Sequence, residues 1–458
     1  MRRNEQERRE ARTTEAVSLP LSMPVSLGKL NQKELGAFDT PIHIVRLMIN
    51  LCGITDWSHV KVLEPACGYA PFSYVISRLK GSWENITGVE INPRIVRELK
   101  RLYPEYDVRL GDYLLMDFGD ERFDVIIGNP PYGIIGDKSH YAIHVLRDRK
   151  TLYKRLYKTW RGKYNIYGLF IEKSINLLRN GGILCFIVPA TWMILTEFSI
   201  LRKFLAKSGK LRVYYLGKGI FKGLNVVTVI LIVEKGSKGL ELYDATDLNN
   251  ITLNHIKQEY RGEMITFRTP LTDHIESQAK IKLGDLFDIR ISPRSPEIRK
   301  CPFLSKEKNG RVPLLTGRNL KVGRNGGYID YDTCYSGYYI RPEDIPRLRE
   351  WFIKDRIVVG HTKGGKLVAA LENRHYAWTG DVYHLLPRHS LYLYGCAQPV
   401  FTLQEVVKIL NSPVMNQYMR DKYREITPHT TKSQLEILPL IPLDKLKQIE
   451  EIFRAKTQ

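Results

Sequence analysis

Over its first half the chain alternates short apolar runs with stretches of helical character. Val62-Leu63-Glu64, Ile86-Thr87-Gly88-Val89-Glu90 and Phe123-Asp124-Val125-Ile126-Ile127-Gly128 are too short for helices and close on turns, so they read as buried strands. Between them, 71–80 and 93–102 read as helices, each opening on a proline at a position that needs no N–H donor. Asp39-Thr40-Pro41 predicts another helix start, with a hydroxyl cap and proline in the first turn. A short strand near Val108 ends at Gly111-Asp112. An amphipathic helix over about 167–178 stops at Asn180-Gly181-Gly182, and a buried strand follows at 183–188. Two strands close in sequence, 211–216 and 226–233, can pair antiparallel. This alternation predicts an α/β fold with a mostly parallel, doubly wound sheet, whose ligands sit outside the carboxyl ends of the strands.

After Glu234 the alternation stops. A polar connection is expected over 235–270, then short β-like runs such as 335–339 and 357–360, and late helices at 403–410 and 443–453. The expected organisation is a disordered tail at 1–20, one domain at 21–270 and a mixed α+β domain at 271–458. No internal repeats are visible.

Composition adds a partner. The 458 residues suffice for two cores, and 43% apolar with 26% charged residues is ordinary for a soluble chain. The net charge of +21 points to a polyanion, and residues 138–222 hold 18 Lys or Arg against three acids, directly after the strand at 123–128. The six cysteines form no Cys-x-x-Cys pair, so neither a metal site nor a disulfide framework is expected, and a reducing cytoplasm fits. The N-terminal segment has no apolar signal region, and the longest apolar stretch, 183–195, contains Pro189 and is too short for a membrane span.

The strand ends carry the chemistry. Asn129-Pro130-Pro131-Tyr132 follows the 123–128 strand. An aromatic exocyclic amine is a poor nucleophile because its lone pair is delocalised into the ring. The Asn129 side-chain oxygen and the Pro130 carbonyl can accept its N–H groups and favour a pyramidal nitrogen, while the two prolines hold these acceptors rigid. Tyr132 offers a stacking face. Upstream, Glu64 opens a Glu-x-x-x-Gly turn in which Gly68 permits close backbone approach; the Gly-x-Gly-x-x-Gly dinucleotide fingerprint is absent. Such a turn suits a cofactor with a charged amino-acid end and no phosphate. Glu90 is placed to grip two ribose hydroxyls, and Asp112 to accept from an adenine amino group. Singly each acid could be a cap; in this order they form a pattern.

Asp39-Thr40-Pro41, Glu64-Pro65-Ala66-Cys67-Gly68, Gly88-Val89-Glu90, Gly111-Asp112 and Asn129-Pro130-Pro131-Tyr132 resemble the successive motifs of γ-class DNA adenine-N6 methyltransferases. Lys163-Tyr164-Asn165-Ile166-Tyr167-Gly168, Val213-Tyr214-Tyr215-Leu216-Gly217 and Leu315-Thr316-Gly317-Arg318-Asn319-Leu320 extend the similarity to the TaqI-like type II restriction–modification methylases, over most of the chain. The resemblance implies a Rossmann-like class I domain that binds S-adenosylmethionine, followed by a target-recognition domain. It implies Thr40, Glu64, Ala66, Gly68, Glu90, Ile91, Asp112, Tyr113, Asn129, Pro131 and Phe170 around the cofactor, and Asn129, Pro130, Tyr132 and Phe221 at the target base. Arg318, Lys363 and Lys366 are expected to touch DNA, and Pro428, in Thr427-Pro428-His429-Thr430, to fill the space a flipped base leaves. Ala70 departs from the family, where glycine is usual. The implied protein is a cytoplasmic monomer that methylates duplex DNA at TCGA or a related site and protects it from a cognate endonuclease, a functional rather than physical partner.

Other readings fit the sequence less well. Asn-Pro-Pro-Tyr also serves enzymes acting on protein glutamine or RNA guanine N2, but the long C-terminal domain and the basic block have no purpose in a glutamine enzyme. Cytosine-N4 enzymes more often carry Ser in place of Asn129, and cytosine-C5 chemistry needs a Cys nucleophile, usually in a Pro-Cys dipeptide, which is absent. Gly360-His361-Thr362-Lys363-Gly364-Gly365-Lys366 imitates a P-loop, but Leu367 stands where magnesium needs a hydroxyl, so a hairpin loop at DNA phosphate explains it better. An inactive DNA-binding homologue is disfavoured by the intact catalytic turn.

Overall fold

The computed structural model describes residues 38–136, 142–143, 146–323, 326–361, 366–380, 382–391 and 401–454. The expected tail at 1–20 lies outside them. The first half is built on β1 (Val62–Pro65), β2 (Ile86–Glu90), β3 (Asp107–Leu110), β4 (Phe123–Gly128), β5 (Leu178–Pro189), β6 (Gly209–Gly217), β7 (Thr228–Lys235), β8 (Leu240–Asp244) and β9 (Thr252–Lys257). They form one sheet in the order β9-β8-β6-β7-β5-β4-β1-β2-β3. The run from β3 through β5 is parallel, and β7 enters antiparallel between β5 and β6. Every residue of β1 and β2 is buried, which is why both carry mostly apolar or small residues without the alternation of a half-exposed strand. Helices α1 (Ile42–Leu51), α2 (Pro71–Lys80), α3 (Pro93–Leu102), α4 (Tyr167–Leu177) and α5 (Ser199–Ser208) alternate with the strands.

Three expectations for the first-half elements need correction. The 235–270 region is no plain connection, because β8 extends the sheet parallel to β6 and β9 closes its edge. Leu240 and Leu242 are buried while Leu253 and Ile256 are exposed, so an edge pair with one covered face carries a diluted apolar signal. Asn180-Gly181-Gly182 sits inside β5, where pairing with β4 jumps from Phe123↔Leu178 to Val125↔Ile183. At the start of α1 the cap position falls on Pro41 with no side-chain cap, and the Thr40 hydroxyl is turned elsewhere.

In the second half, α6 (Pro270–Gln278) precedes β10 (Phe287–Ile291), the hairpin of β11 (Leu320–Gly323) with β12 (Gly326–Ile329), and β13 (Arg356–Gly360), β14 (Ala369–Glu372) and β15 (Val382–Pro387). A four-stranded antiparallel sheet runs β10-β15-β13-β14. Of the 335–339 run only Tyr339 is strand, in a two-residue pairing with Val312–Pro313; the residues before it turn. Helices α7 (Leu403–Asn411), α8 (Pro413–Tyr423), α9 (Lys432–Glu436) and α10 (Leu443–Arg454) complete the described chain. One apolar cluster continues from the first sheet through α6, Ile357 and Leu385 to Ile449, and a smaller one surrounds Leu315, Phe352 and Trp378.

Candidate active site

The parallel strands deliver their motifs to one edge of the sheet, as their pairing requires. In the turn after β1, Ala66, Gly68 and Ala70 all take left-handed backbone (φ +53°, +53° and +57°), which lifts the chain into the start of α2. Glu64 is buried under that helix. Its carboxylate accepts the Ser73 N–H at 2.7 Å and the Phe72 N–H at 3.4 Å, caught by the unpaired donors of the first turn. Burial pushes its carboxyl up to about 8, with the Ser73 and Phe72 bonds opposing. Glu90, at the end of β2, accepts the Gly68 N–H at 2.9 Å and the Asn92 N–H at 2.8 Å, tying the first two turns together. Burial raises its carboxyl too, against the bonds from Asn92 and Gly68. Ile91 follows, half-buried.

Asp112 does not stand open to an incoming amine. Its Oδ1 takes the Leu114 N–H at 3.0 Å, and its Oδ2 takes both the Arg149 guanidinium at 2.7 Å and the Tyr153 hydroxyl. An adenine amino group would have to share these oxygens or displace Arg149. Next to it Tyr113 stacks on Phe170 with centroids 5.1 Å apart and bonds Ser174 through its hydroxyl at 2.8 Å, building an apolar wall.

At the end of β4, both hydrogens of the Asn129 amide are taken: the Phe38 carbonyl accepts one at 2.8 Å and the Thr40 hydroxyl oxygen the other at 3.1 Å. The Asn129 Oδ1 is buried and has no hydrogen-bond partner. A buried acceptor without a donor is costly, and this one lies at the end of a parallel strand where such sheets bind their ligands. Pro130 is buried beside it and Pro131 half-buried. The Gly133 N–H donates to Asn165 Oδ1 at 2.8 Å, which pins the far side of the turn to the Asn165-Ile166-Tyr167 motif.

The Tyr132 ring is buried, and its hydroxyl donates to the Ile187 carbonyl at 2.9 Å. The stacking face expected for a base is covered: Phe38 lies on Tyr132 with centroids 5.7 Å apart and 27° between planes. Phe221, from the 217–227 loop, meets both rings, at 6.0 Å from Tyr132 and 6.2 Å from Phe38. Phe38, Arg149 and Tyr153 are the residues that sequence reasoning missed. Phe38 had one signal, an aromatic directly before Asp39-Thr40-Pro41; nothing in the sequence pairs Arg149 or Tyr153 with Asp112.

The residues expected at DNA fall on two loop systems. Arg318 is exposed on a turn whose Asn319 accepts the Thr316 N–H at 2.9 Å and donates to the Asp330 and Thr333 carbonyls, so a rigid base carries a free-standing guanidinium. Lys366 and Pro428 are exposed, and Lys363 lies outside the described residues. The loops bearing Lys366 and Pro428 are joined, because the Thr430 N–H donates to the His361 carbonyl at 3.1 Å and His361 stacks on His429 at 4.8 Å. Lys218 pairs with Glu425 at 2.9 Å, which links the Phe221 loop to the turn before Pro428. Among the described residues no group of His, Cys, Asp and Glu is placed to hold a metal ion, and no helix is long and apolar enough to cross a membrane.

Sheet order, the antiparallel β7 and motifs at the strand ends define a class I methyltransferase fold, and the donor set fits S-adenosylmethionine. A carboxylate stands at the end of β2, and the turn after β1 leaves open space around Gly68. Comparison with known proteins sharpens this. Residues 100–221 match the model of the Eco57I restriction-modification methylase family, and 312–440 the TaqI-like C-terminal specificity domain. The chain is 43% identical to the type II methyltransferase M.TthHB8I of Thermus thermophilus over 89% of its length and 91% of that protein's. It is 28% identical to the modification methylase CviBIII of Paramecium bursaria Chlorella virus NC1A, over 73% of this chain and 84% of that one. A nuclease-deletion mutant of the type ISP restriction-modification enzyme LlaGI, solved with a DNA substrate mimic, superposes with a TM-score of 0.51 at 15% identity, covering 90% of this chain and 54% of that one; it speaks to the fold alone. The chain belongs to the type II methyltransferase family of restriction–modification enzymes.

Proposed function

We propose that this methyltransferase transfers a methyl group to the exocyclic N6 of adenine in duplex DNA, with the target base flipped out of the helix. The observation that carries the reading is the Asn129 Oδ1, a buried acceptor with no partner at the end of β4. An aromatic amine supplies the missing donor. Asn129 and the Pro130 carbonyl then accept its two N–H groups and free the lone pair from the ring. When bound, S-adenosylmethionine supplies the electrophilic methyl group. Glu90 would hold its ribose, the left-handed turn at Ala66–Gly68–Ala70 would admit its amino-acid end with Thr40 and Pro131 alongside, and Ile91, Tyr113 and Phe170 would keep water out. Glu64 acts one step removed, by fixing α2 under that turn. Asp112 meets the adenine edge only if it shares its oxygens with Arg149 and Tyr153.

We place the division between catalytic and recognition domains near Pro270. In the second, Arg318, Lys363 and Lys366 contact DNA and Pro428 fills the vacated space, which the Lys218–Glu425 pair beside Phe221 supports. The 43% identity to M.TthHB8I over nearly the whole chain favours a short type II site, and TCGA is our first choice. The enzyme acts as a cytoplasmic monomer that protects DNA from a cognate endonuclease. The test is to incubate the protein with isotopically labelled S-adenosylmethionine and duplex DNA, identify the methylated nucleoside by mass, and call modified positions by direct sequencing. N6-methyladenine at one short motif is the expected product. N4-methylcytosine, or label only on RNA or protein, would refute the reading.

A further inference from the structure

A side-chain amide can sit in either of two flips of nearly equal shape, and only one presents an acceptor to a base. With Oδ1 inward, Asn129 accepts an incoming N–H; with Nδ2 inward, donor faces donor and the amine cannot be polarised. From the contacts of Asn129 we infer that Phe38 and Thr40 are positioning residues, the Phe38 carbonyl setting the competent flip of this amide and the Thr40 oxygen holding it there, an inference resting on the adenine-N6 reading above. The Phe38 carbonyl, 2.8 Å from Nδ2, can only accept, so the reversed flip would set two acceptors against each other. The Thr40 oxygen accepts the second hydrogen at 3.1 Å. A hydroxyl can serve either flip, so Thr40 holds the amide in place while the Phe38 carbonyl sets its sense. Both groups that hold the amide lie in the three residues before Pro41, far from β4 in sequence, so the segment before α1 governs the reactivity of the turn after β4.

Thr40→Val keeps the shape and removes the oxygen. Under single-turnover conditions with saturating S-adenosylmethionine and DNA, Thr40→Val should slow methyl transfer by about tenfold or more, while Thr40→Ser restores the rate. Duplex affinity and the fluorescence rise of a target 2-aminopurine should stay at wild-type level. A variant that needs more cofactor yet reaches the wild-type saturated rate would overturn the inference and leave Thr40 a cofactor contact only. A second arm is independent of turnover. With 15N-asparagine labelling, the Asn129 amide protons, identified by their loss in Asn129→Asp, should exchange slowly in wild type, and one should exchange fast in Thr40→Val. Unchanged exchange would also overturn it. Failure of the wild type to make N6-methyladenine would instead refute the reading on which the inference rests.

Discussion

At the residue scale the site turns on one acceptor. Asn129→Ala removes Oδ1 and should lower methyl transfer by about 10²–10³ while leaving cofactor binding nearly intact, since losing one preorganised group of this kind costs that much. Single-turnover rates beside cofactor titration check it, and near-normal turnover by a folded protein contradicts the assigned role. Ala70 makes a different point. It is fully buried at φ +57°, a backbone that costs a side chain about 1–2 kcal/mol. Ala70→Gly relieves that strain but frees the unfolded chain, so the expected gain is about 1 kcal/mol at most, read from the denaturation midpoint. A lowered midpoint would mean that packing of the Ala70 Cβ outweighs its strain. Much of this was legible beforehand: Asn129, Glu90 and the turn at Gly68 stood at strand ends, where local pattern alone places them. The Asp112 partners were not, because Arg149 and Tyr153 arrive from a segment that no local pattern brings back to β3. Nor was the Phe38 ring on Tyr132, which exists only after the chain before α1 folds across the sheet edge.

Among the elements, legibility followed burial. Strands covered on both faces, β1, β2, β4 and most of β5, gave short, largely apolar runs closing on turns and were read within a few residues. β8 and β9 were missed because edge strands mix exposed Leu253 and Ile256 with polar neighbours. The C-terminal sheet hid its organising residue for another reason: a buried arginine looks like any surface arginine in sequence. Arg356, at the start of β13, is fully buried and donates to the carbonyls of Phe352 at 2.7 Å, Lys354 at 2.9 Å and Tyr376 at 2.7 Å, and to His384 Nδ1 at 3.2 Å. Burial lowers its guanidinium to about 10, with Glu372 opposing, and Glu372 in turn takes the Trp378 indole N–H at 2.8 Å. Arg356→Met strands these carbonyls without donors and should destabilise the protein by about 3–5 kcal/mol, the range for removing one partner from a buried charged network. Denaturant melts followed by tryptophan fluorescence measure this; a loss under about 1 kcal/mol would show that water replaces the arginine.

On the scale of the whole molecule, net charge and ring packing together decide how DNA is met. Binding to duplex should weaken linearly in log affinity against log salt, with a slope of about −0.9 for each phosphate neutralised. The charge of +21 and the basic stretch at 138–222 make a steep line the expected result, and a flat one would remove duplex DNA as substrate. The Phe38–Tyr132 stack carries a consequence that calorimetry can read. A base that stacks on Tyr132 takes the place of the Phe38 ring, whose backbone carbonyl stays on Asn129, so a Tyr132 face already dry passes from one ring to another instead of being drawn out of water. Little apolar surface changes its hydration in that exchange, and the heat-capacity change on binding should then differ little between a duplex with adenine at the target and one with an abasic site. Phe38→Ala leaves the Tyr132 face wet until the base arrives, and should make the heat-capacity change distinctly more negative for the adenine duplex alone. Equal values for the two proteins on both duplexes would mean that Phe38 keeps its place against Tyr132 throughout.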